Sequence, residues 1–399
     1  MDKKKEFTKG NLQEDAPKRI ARKNHWRRVR YLLGTVIVVL AIVLAAVLWD
    51  STAFDGLRRA VIYASAEKDE RGCAKLYTYS SERDGSYASL RGSLIQATPR
   101  RILLLGEDGQ ARYNADVKFH RSAVVSNGRL AAVYDIGGTE IHLMDDQGLV
   151  GLLTADGEIF SCTMNDKGVL AVTTNKSGYK AAVTVYSASG EKLFAFHSSD
   201  RFLMTAAVDR SGRQMAAVTL GQNEGVFSSN LVIYGLESTE AVLDERLTGS
   251  AVYDLGMVGR SWCAVGEDGL HFMSSDRKDG TSAAFYDFEG SYLRRCSMEG
   301  EGFVALLLGR YKSGTQTRLI TVDEAGVQLA ILDVDKEVLS LTAAGKYVAV
   351  LYSDELVIYD KNLEVGARLE GMNTAKLVLM RADGSAVLVG SDAASLYLP

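Results

Sequence analysis

Downstream of residue 90 the apolar positions fall into two kinds of short run that alternate along the chain. The first is a glycine-bearing turn followed by small apolar residues: SNGRLAAVYD around Gly128, NDKGVLAVTT around Gly168, DRSGRQMAAVTL around Gly212, VGRSWCAVG around Gly259, GEGFVALLLG around Gly302, AAGKYVAVLYS around Gly345 and ADGSAVLVGS around Gly384. The second is an alternating apolar strand ending in a turn: IHLMDDQG at 141–148, VTVYSASG at 183–190, AFYDFEG at 284–290 and LITVDEAG at 319–326, with weaker copies LVIYGLES at 231–238 and LVIYDKNL at 356–363. Side chains alternate across a strand, and a turn with positive φ forms most easily at Gly, Asn or Asp. Both runs therefore read as strands.

Successive glycines of the first kind lie 39 to 47 residues apart, the length of one four-stranded blade. A unit of that size cannot bury both faces of its sheet alone, and stacking the units in a ring does so while limiting exposed edges. The pattern predicts an all-β fold, a β-propeller. Taking RRILLLGEDG at 100–109 as the glycine-led strand of a compact first unit predicts eight blades, and omitting it gives seven. The last unit supplies AKLVLM, SAVLVGS and ASLYLP before Pro399 and lacks an outer strand, which the segment ahead of the first blade must provide. KLYTY at 75–79 is the first candidate for it and AVIYA at 60–64 the second.

Upstream the pattern changes. Tyr31 to Trp49 reads YLLGTVIVVLAIVLAAVLW, nineteen residues without a charge, enough for one helix to span the roughly 30 Å hydrocarbon layer. Tyr31 and Trp49 stand where an aromatic belt would, and Arg27, Arg28 and Arg30 precede the run. The stretch is longer than the apolar region of a cleavable signal, and Val47, Leu48 and Trp49 at its end offer poor cleavage chemistry. It predicts a single-pass anchor in the lipid bilayer with its N-terminus in the cytoplasm and its C-terminal body outside. The expected organisation is a basic cytoplasmic arm at 1–30, a transmembrane helix at 31–49, a stalk at 50–73 and an extracytoplasmic propeller at 74–399.

Charge sharpens this division. Residues 1–30 hold eleven Lys or Arg and four Asp or Glu, a surplus of +7, so the rest of the chain carries -11 of the total -4. An acidic body is poorly suited to nucleic acid, whose recognition depends on clustered cations. Three prolines among 38 glycines suit ladders joined by tight turns. Cys73, Cys162, Cys263 and Cys296 show no metal or redox spacing. They read as small buried hydrophobes, with a Cys263–Cys296 bridge between neighbouring blades left open.

Given the anchor and the repeat, the chain resembles an uncharacterised family of Firmicutes, chiefly Clostridia, in which a membrane anchor precedes a propeller of unknown function. The resemblance rests on GVLAVTTNKSGYKAAVTVYSASGEKLF at 168–194, VDRSGRQMAAVTL at 208–220 and RLAAVYDIGGTEIHLMDDQG at 129–148. It implies the fold and supplies no active site. More distantly the units are similar to WD40-like and quinoprotein-like propellers. Trp262 is the only tryptophan of the body and no Trp-Asp repeat occurs, which argues against a quinone cofactor.

No nucleophile elbow, phosphate loop, zinc signature or calcium loop occurs at its required spacing. His120, His142, His197 and His271 fall in four separate units and His25 in the basic arm. Asp209–Arg210–Ser211–Gly212 resembles the structural Asp-box turn, without its aromatic. Asp333, Asp335 and Glu337 in DVDKE read as a solvated strand edge rather than a cation site. No catalytic residue, metal or cofactor is expected. Tyr179–Lys180 and Tyr311–Lys312, each a Tyr-Lys pair in a loop between two strands, are the candidate interaction rim. The leading expectation is a non-catalytic interaction or scaffold module in the cell envelope with a protein partner. The alternatives are a sensor, which with one helix requires a dimer, and an enzyme with a site in the channel.

Overall fold

The computed structural model describes residues 68–399 apart from 82–83, 224–225, 239, 248–250 and 275–282, together with Tyr63 and six positions between 31 and 39. The chain divides into two units, 1–62 and 63–399. In the first, Tyr31, residues 33–36 and Val39 are helical and exposed, and the Thr35 hydroxyl donates to the Tyr31 carbonyl at 2.8 Å, one helical turn back. Among the described residues no helix is long and apolar enough to cross a membrane. Most of the expected 31–49 anchor, with Arg27, Arg28, Arg30 and Trp49, lies outside the described residues.

The second unit consists of eight four-stranded antiparallel sheets. Blades 1 to 7 span 86–116, 122–154, 159–198, 202–246, 252–287, 292–334 and 338–370, and in each the four strands run in sequence order from the inside out. Inner strands of most neighbouring blades contact one another. Eight is therefore the blade number.

The sequence pattern follows from how blades stack. Second strands such as Ala131–Asp135, Leu170–Thr174 and Tyr347–Tyr352 are buried along their whole length, because each face of the sheet meets a different neighbour. Leu170 and Val172 pack in the cluster shared by blades 2 and 3, while Ala171 between them packs in the cluster shared by blades 3 and 4. Fully burying such a side chain contributes about 1.5–3 kcal/mol. Outer strands alternate between exposed and half-buried positions, as in Leu149–Thr154 and Gln328–Val334. The two sequence signals are thus the doubly buried second strand and the third strand beside it, except that AFYDFEG falls on the outer strand of blade 5, Ala283–Asp287, whose third strand is Gly269–Ser274.

Polar side chains on the inner strands tie blade to blade. The Thr163 hydroxyl donates to the Ala206 carbonyl at 2.7 Å, that of Thr342 to the Val378 carbonyl at 2.8 Å, and Ser297 Oγ accepts the Ala343 N–H at 2.9 Å. The first turns of blades 2 to 4 do the same while capping themselves. Asn165 accepts the N–H groups of Lys167 and Val169 and donates Nδ2 to the Asp209 carbonyl at 2.8 Å. Asp209 in turn accepts from Arg213 and Gln214, so the Asp-box-like segment is a structural turn.

Blade 8 closes the ring with both ends of the chain. Leu377–Met380, Ala386–Val389 and Ala393–Tyr397 form its first three strands, and Cys73–Thr78 adds antiparallel to the last, with Cys73 opposite Tyr397 and Thr78 opposite Ala393. KLYTY at 75–79 thus supplies the missing strand, while 60–64 is described only at Tyr63. Tyr77, 1% exposed, packs with Leu94, Leu103 and Leu105 of blade 1 and with Val387 and Leu396 of blade 8. Its hydroxyl donates to the Gly92 carbonyl at 2.6 Å.

The first blade corrects one expectation. RILLL is its third strand, Arg101–Leu105, and the glycine-led second strand is Ser93–Ala97, entered through a turn at Arg91 (φ 45) and Gly92 (φ 125). Gln96 inside SLIQA hides that strand from an apolar scan, although it is buried, donating to the Tyr87 hydroxyl and the Ser80 carbonyl. The run is thus shifted by one strand, while the unit itself, 86–116, is compact as expected, the shortest of blades 1 to 7. All four cysteines are free, Cys263 and Cys296 included, and burial raises the thiol pKa of each.

Candidate interaction rim

Strands that run alternately up and down put all loops between second and third strands, and all connections between blades, on one rim of the ring. The other rim carries the turns between first and second and between third and fourth strands. We call these the loop rim and the turn rim. The chain enters on the turn rim at Cys73, and Tyr63 is held there too: its hydroxyl donates to Asp383 at 3.0 Å and accepts from Arg381 at 3.3 Å, both in the first turn of blade 8.

The loop rim is unequal around the ring. In blades 3 to 7 the inner strand carries a bulge near its loop-rim end, where one extra residue falls between successive ladder pairs. The extra residues are Phe160, Met204, Tyr253, Arg294 and Leu339. A bulge bends the strand and re-aims the side chain at that point. Phe160, Met204 and Tyr253 are consequently 46%, 37% and 47% exposed where inner-strand apolar groups would otherwise be packed. Blades 1, 2 and 8 have no such bulge in the inner strand.

The same sector carries further exposed rings. Phe202 and Tyr292 open the inner strands of blades 4 and 6 and lie on the surface. In blade 4 the second and third strands, Gln214–Asn223 and Val226–Gly235, outrun their neighbours: the inner strand pairs only as far as Leu220, and three further cross-strand pairs project beyond it. Phe227, on that projection, is 65% exposed.

Both Tyr-Lys pairs lie on this rim. Tyr179 is stacked on His197 at 4.9 Å, and Lys180 Nζ sits 4.5 Å from the centre of the Phe202 ring in the next blade. Lys312 Nζ lies 5.6 Å from the Tyr292 ring, and the Arg310 guanidinium 5.7 Å from the Tyr311 ring. The pairs belong to blades 3 and 6, so the structure does not bring them together. They bracket the aromatic sector. Sequence reasoning missed Phe160, Phe202, Met204, Phe227, Tyr253 and Tyr292, whose signal is an apolar residue out of phase with its strand.

On the same rim, blade 7 holds a polar cavity of about 380 Å³ bordered by Lys336, Asp354, Glu355, Arg368, Glu370 and Asn373. The buried Glu355 carboxylate accepts from Lys336 Nζ at 2.7 Å and from Arg368 Nη1 at 2.6 Å. Lys336 also reaches Asp354 at 3.2 Å, and these hydrogen bonds raise its pKa. Every cation here has its acid, which makes the group a brace between loop and blade. Lys336 is also the member of the DVDKE segment that is engaged. Among the described residues no three His, Cys, Asp or Glu side chains are grouped to hold a metal ion.

Titratable groups near the channel do not converge. Asp254, on the inner strand of blade 5, is accessible yet hemmed in, and desolvation raises its carboxyl pKa despite the Leu255 N–H it accepts. The Tyr253 phenol is pushed up to about 12, first by desolvation and then by Cys296 and Asp254. Glu299, also raised by desolvation, follows the inner strand of blade 6 on the turn rim, at the other end of the ring from Asp254. No described histidine lies on an inner strand: His142 and His271 are on third strands, His197 is on an outer strand and His120 is between blades, its Nδ1 2.8 Å from Asp135.

Fold and rim together define an eight-bladed β-propeller whose loop rim carries an aromatic sector. The chain belongs to the DUF5711 family, a family of unknown function whose model matches residues 69–391. No curated protein matches it in sequence. Among solved structures it is similar to the C-terminal WD40 domain of Sif2 (TM-score 0.55, 12% identity, covering 81% of this chain and 97% of that one). Sqt1 of Chaetomium thermophilum, solved bound to the N-terminus of the ribosomal protein L10, gives 0.54 at 11% identity, with coverage of 81% and 100%. BamB from Moraxella catarrhalis gives 0.51 at 10% identity, with coverage of 81% and 99%. At these identities the likeness is one of fold.

Proposed function

We propose that this protein is a non-catalytic interaction module, a propeller that holds a protein partner on the loop rim of blades 3 to 6 and is tethered to the cell membrane through residues 31–49, with its body outside the cytoplasm. The observation that carries the reading is the set of bulge-displayed and loop-displayed rings at Phe160, Phe202, Phe227, Tyr253, Tyr292 and Tyr311 on one side of one rim. Aromatic groups exposed together on a rigid frame are the usual anchors of a protein interface. Sqt1, which shares the fold alone, is an instance of a propeller bound to a protein segment. The tether rests on the uncharged run, its basic flank and the helical, exposed positions described within it.

The test is affinity capture of the full-length protein from membranes, comparing wild type with a Phe202→Ser/Phe227→Ser/Tyr292→Ser variant whose changes are all at exposed positions. The variant should lose a protein that wild type retains. Identical co-purifying proteins would end the rim reading. Protease added to intact cells should remove the body, and full protection with cleavage only after lysis would end the proposed location.

A further inference from the structure

Blade 6 breaks the apolar character of the rim in a specific way. The bulge position that holds Phe160, Met204 and Tyr253 in the three preceding blades holds Arg294 here. Its neighbour Arg295 is exposed, and the adjacent loop presents Arg310 and Lys312, both exposed. Arg294 lies directly under that loop, since a Cβ added to Gly309 would stand 2.7 Å from Arg294 Nε. Lys312 is over Tyr292, the residue paired with Gly309 across the ladder, so Arg294 and Lys312 meet at one blade end, with Arg295 and Arg310 next along the chain to Arg294 and Gly309.

Among the described residues none of these four cations has a carboxylate within ion-pair distance, unlike Lys336 and Arg368 on the same rim of the next blade. Arg294 Nε is moreover buried without any hydrogen-bond acceptor. A buried donor left unmet is a cost the fold usually avoids.

We infer that the blade 6 end of the loop rim recognises carboxylates, and that the partner enters this rim as an acidic segment of protein chain. This rests on the interaction reading above and names the chemistry of its partner. Arg guanidinium groups take carboxylates in paired hydrogen bonds, and cations held over rings are pre-positioned for them. The apolar members of the segment then meet the rings of blades 3 to 5, and its acids meet blade 6. Opposite charges placed this way speed encounter and fix the direction in which the segment lies.

The experiment is selection of a random 12-residue peptide library on phage against the full-length protein in detergent micelles, in parallel with Arg294→Gln/Arg310→Gln/Lys312→Gln and Phe202→Ser/Phe227→Ser variants. Wild type should enrich peptides with about threefold more Asp and Glu than the input. That enrichment should vanish on the Gln variant, and the fluorescein-labelled winning peptide should bind it about tenfold or more weakly. Binding of that peptide to wild type should also fall by about tenfold or more between about 0.05 and 0.2 M salt. Acid enrichment that survives the three Gln substitutions, or wild-type peptides without it, overturns the inference. Aromatic-rich peptides lost only on the Phe202/Phe227 variant would leave the rim reading standing and remove the acidic partner. Peptides bound equally by all three proteins would remove both.

Discussion

The seam between blades 8 and 1 is where the ring depends on a single added strand, and Tyr77 is the side chain to perturb there. Its ring is 1% exposed and its hydroxyl donates to the Gly92 carbonyl at 2.6 Å. Tyr77→Phe keeps the packing and removes only the donor, leaving a buried carbonyl unmet at a cost of about 1–3 kcal/mol. Tyr77→Ala adds a cavity and should cost about 3–5 kcal/mol or more. A body of about 330 residues unfolds with an entropy of roughly 0.7 kcal/mol/K, so the Phe variant should melt about 1.5–4 °C lower and the Ala variant at least about 4 °C lower. Differential scanning calorimetry reads both. A paired truncation isolates the strand itself: removing 1–67 keeps Cys73–Thr78 and should preserve a single cooperative transition. Removing 1–78 exposes the Ala393–Tyr397 edge and should broaden the transition or abolish it. If Tyr77→Phe leaves the melting temperature unchanged and both truncations melt alike, closure by the N-terminal strand is not what holds the ring.

Three further outcomes follow from the same packing. Burial lowers the pKa of His142 and His271 in spite of nearby Glu140 and Asp268, so the unfolded chain binds protons first; stability is full above about pH 6.5 and declines as the pH falls below it, and a His142→Leu/His271→Leu variant should flatten the urea midpoint between about pH 7 and pH 5. Asn165→Ala removes two turn bonds and the bond to the Asp209 carbonyl and should cost about 2 kcal/mol in urea unfolding, whereas an unchanged midpoint would show that the blade-to-blade relay is incidental. Glu355→Gln leaves Lys336 and Arg368 facing a neutral partner; its urea midpoint should drop at low salt, and the gap to wild type should narrow near about 1 M salt because both cations are half-exposed and open to screening.

The ring was readable in the sequence because its strongest constraint is local. A second strand squeezed between two blades admits only small or apolar residues, so LAAVYD, VLAVTT and YVAVLY announce themselves. A turn needing positive φ announces itself at Gly128, Gly168 and Gly212. The closing strand was readable too, because a unit short of one strand leaves a definite deficit. Blade 1 was misassigned where the rule softens: buried Gln96 interrupts its second strand, and Arg91 with φ 45 shares the turn with Gly92. The rim was half readable. Tyr179–Lys180 and Tyr311–Lys312 stand out as loop residues beside glycine. Phe160, Met204, Tyr253 and Arg294 do not, since a bulge shifts the register by one, and a one-residue shift exchanges the inward and outward sets without altering composition.

The two ends of the fold divide its labour. Asp69 caps the approach to the closing strand by accepting the N–H groups of Arg71 and Cys73, the Leu398 N–H is taken by the Gly72 carbonyl, and Tyr63 is fixed to Asp383 and Arg381. Chain entry and these contacts thus occupy the turn rim, while the far end of the closing strand is held on the loop rim, where Tyr79 bonds to Gly390, Asp392 and Ala393. In the proposed arrangement any tether is attached on the turn rim, through the strand that completes the last blade. On the loop rim the bulges and the overlong hairpin are confined to blades 3 to 7, away from the seam between blades 8 and 1, so irregular backbone disturbs no closure contact. The exposed rings and unpaired cations stand in that same sector of the rim, apart from the contacts that close the ring and from the Glu355 brace of blade 7.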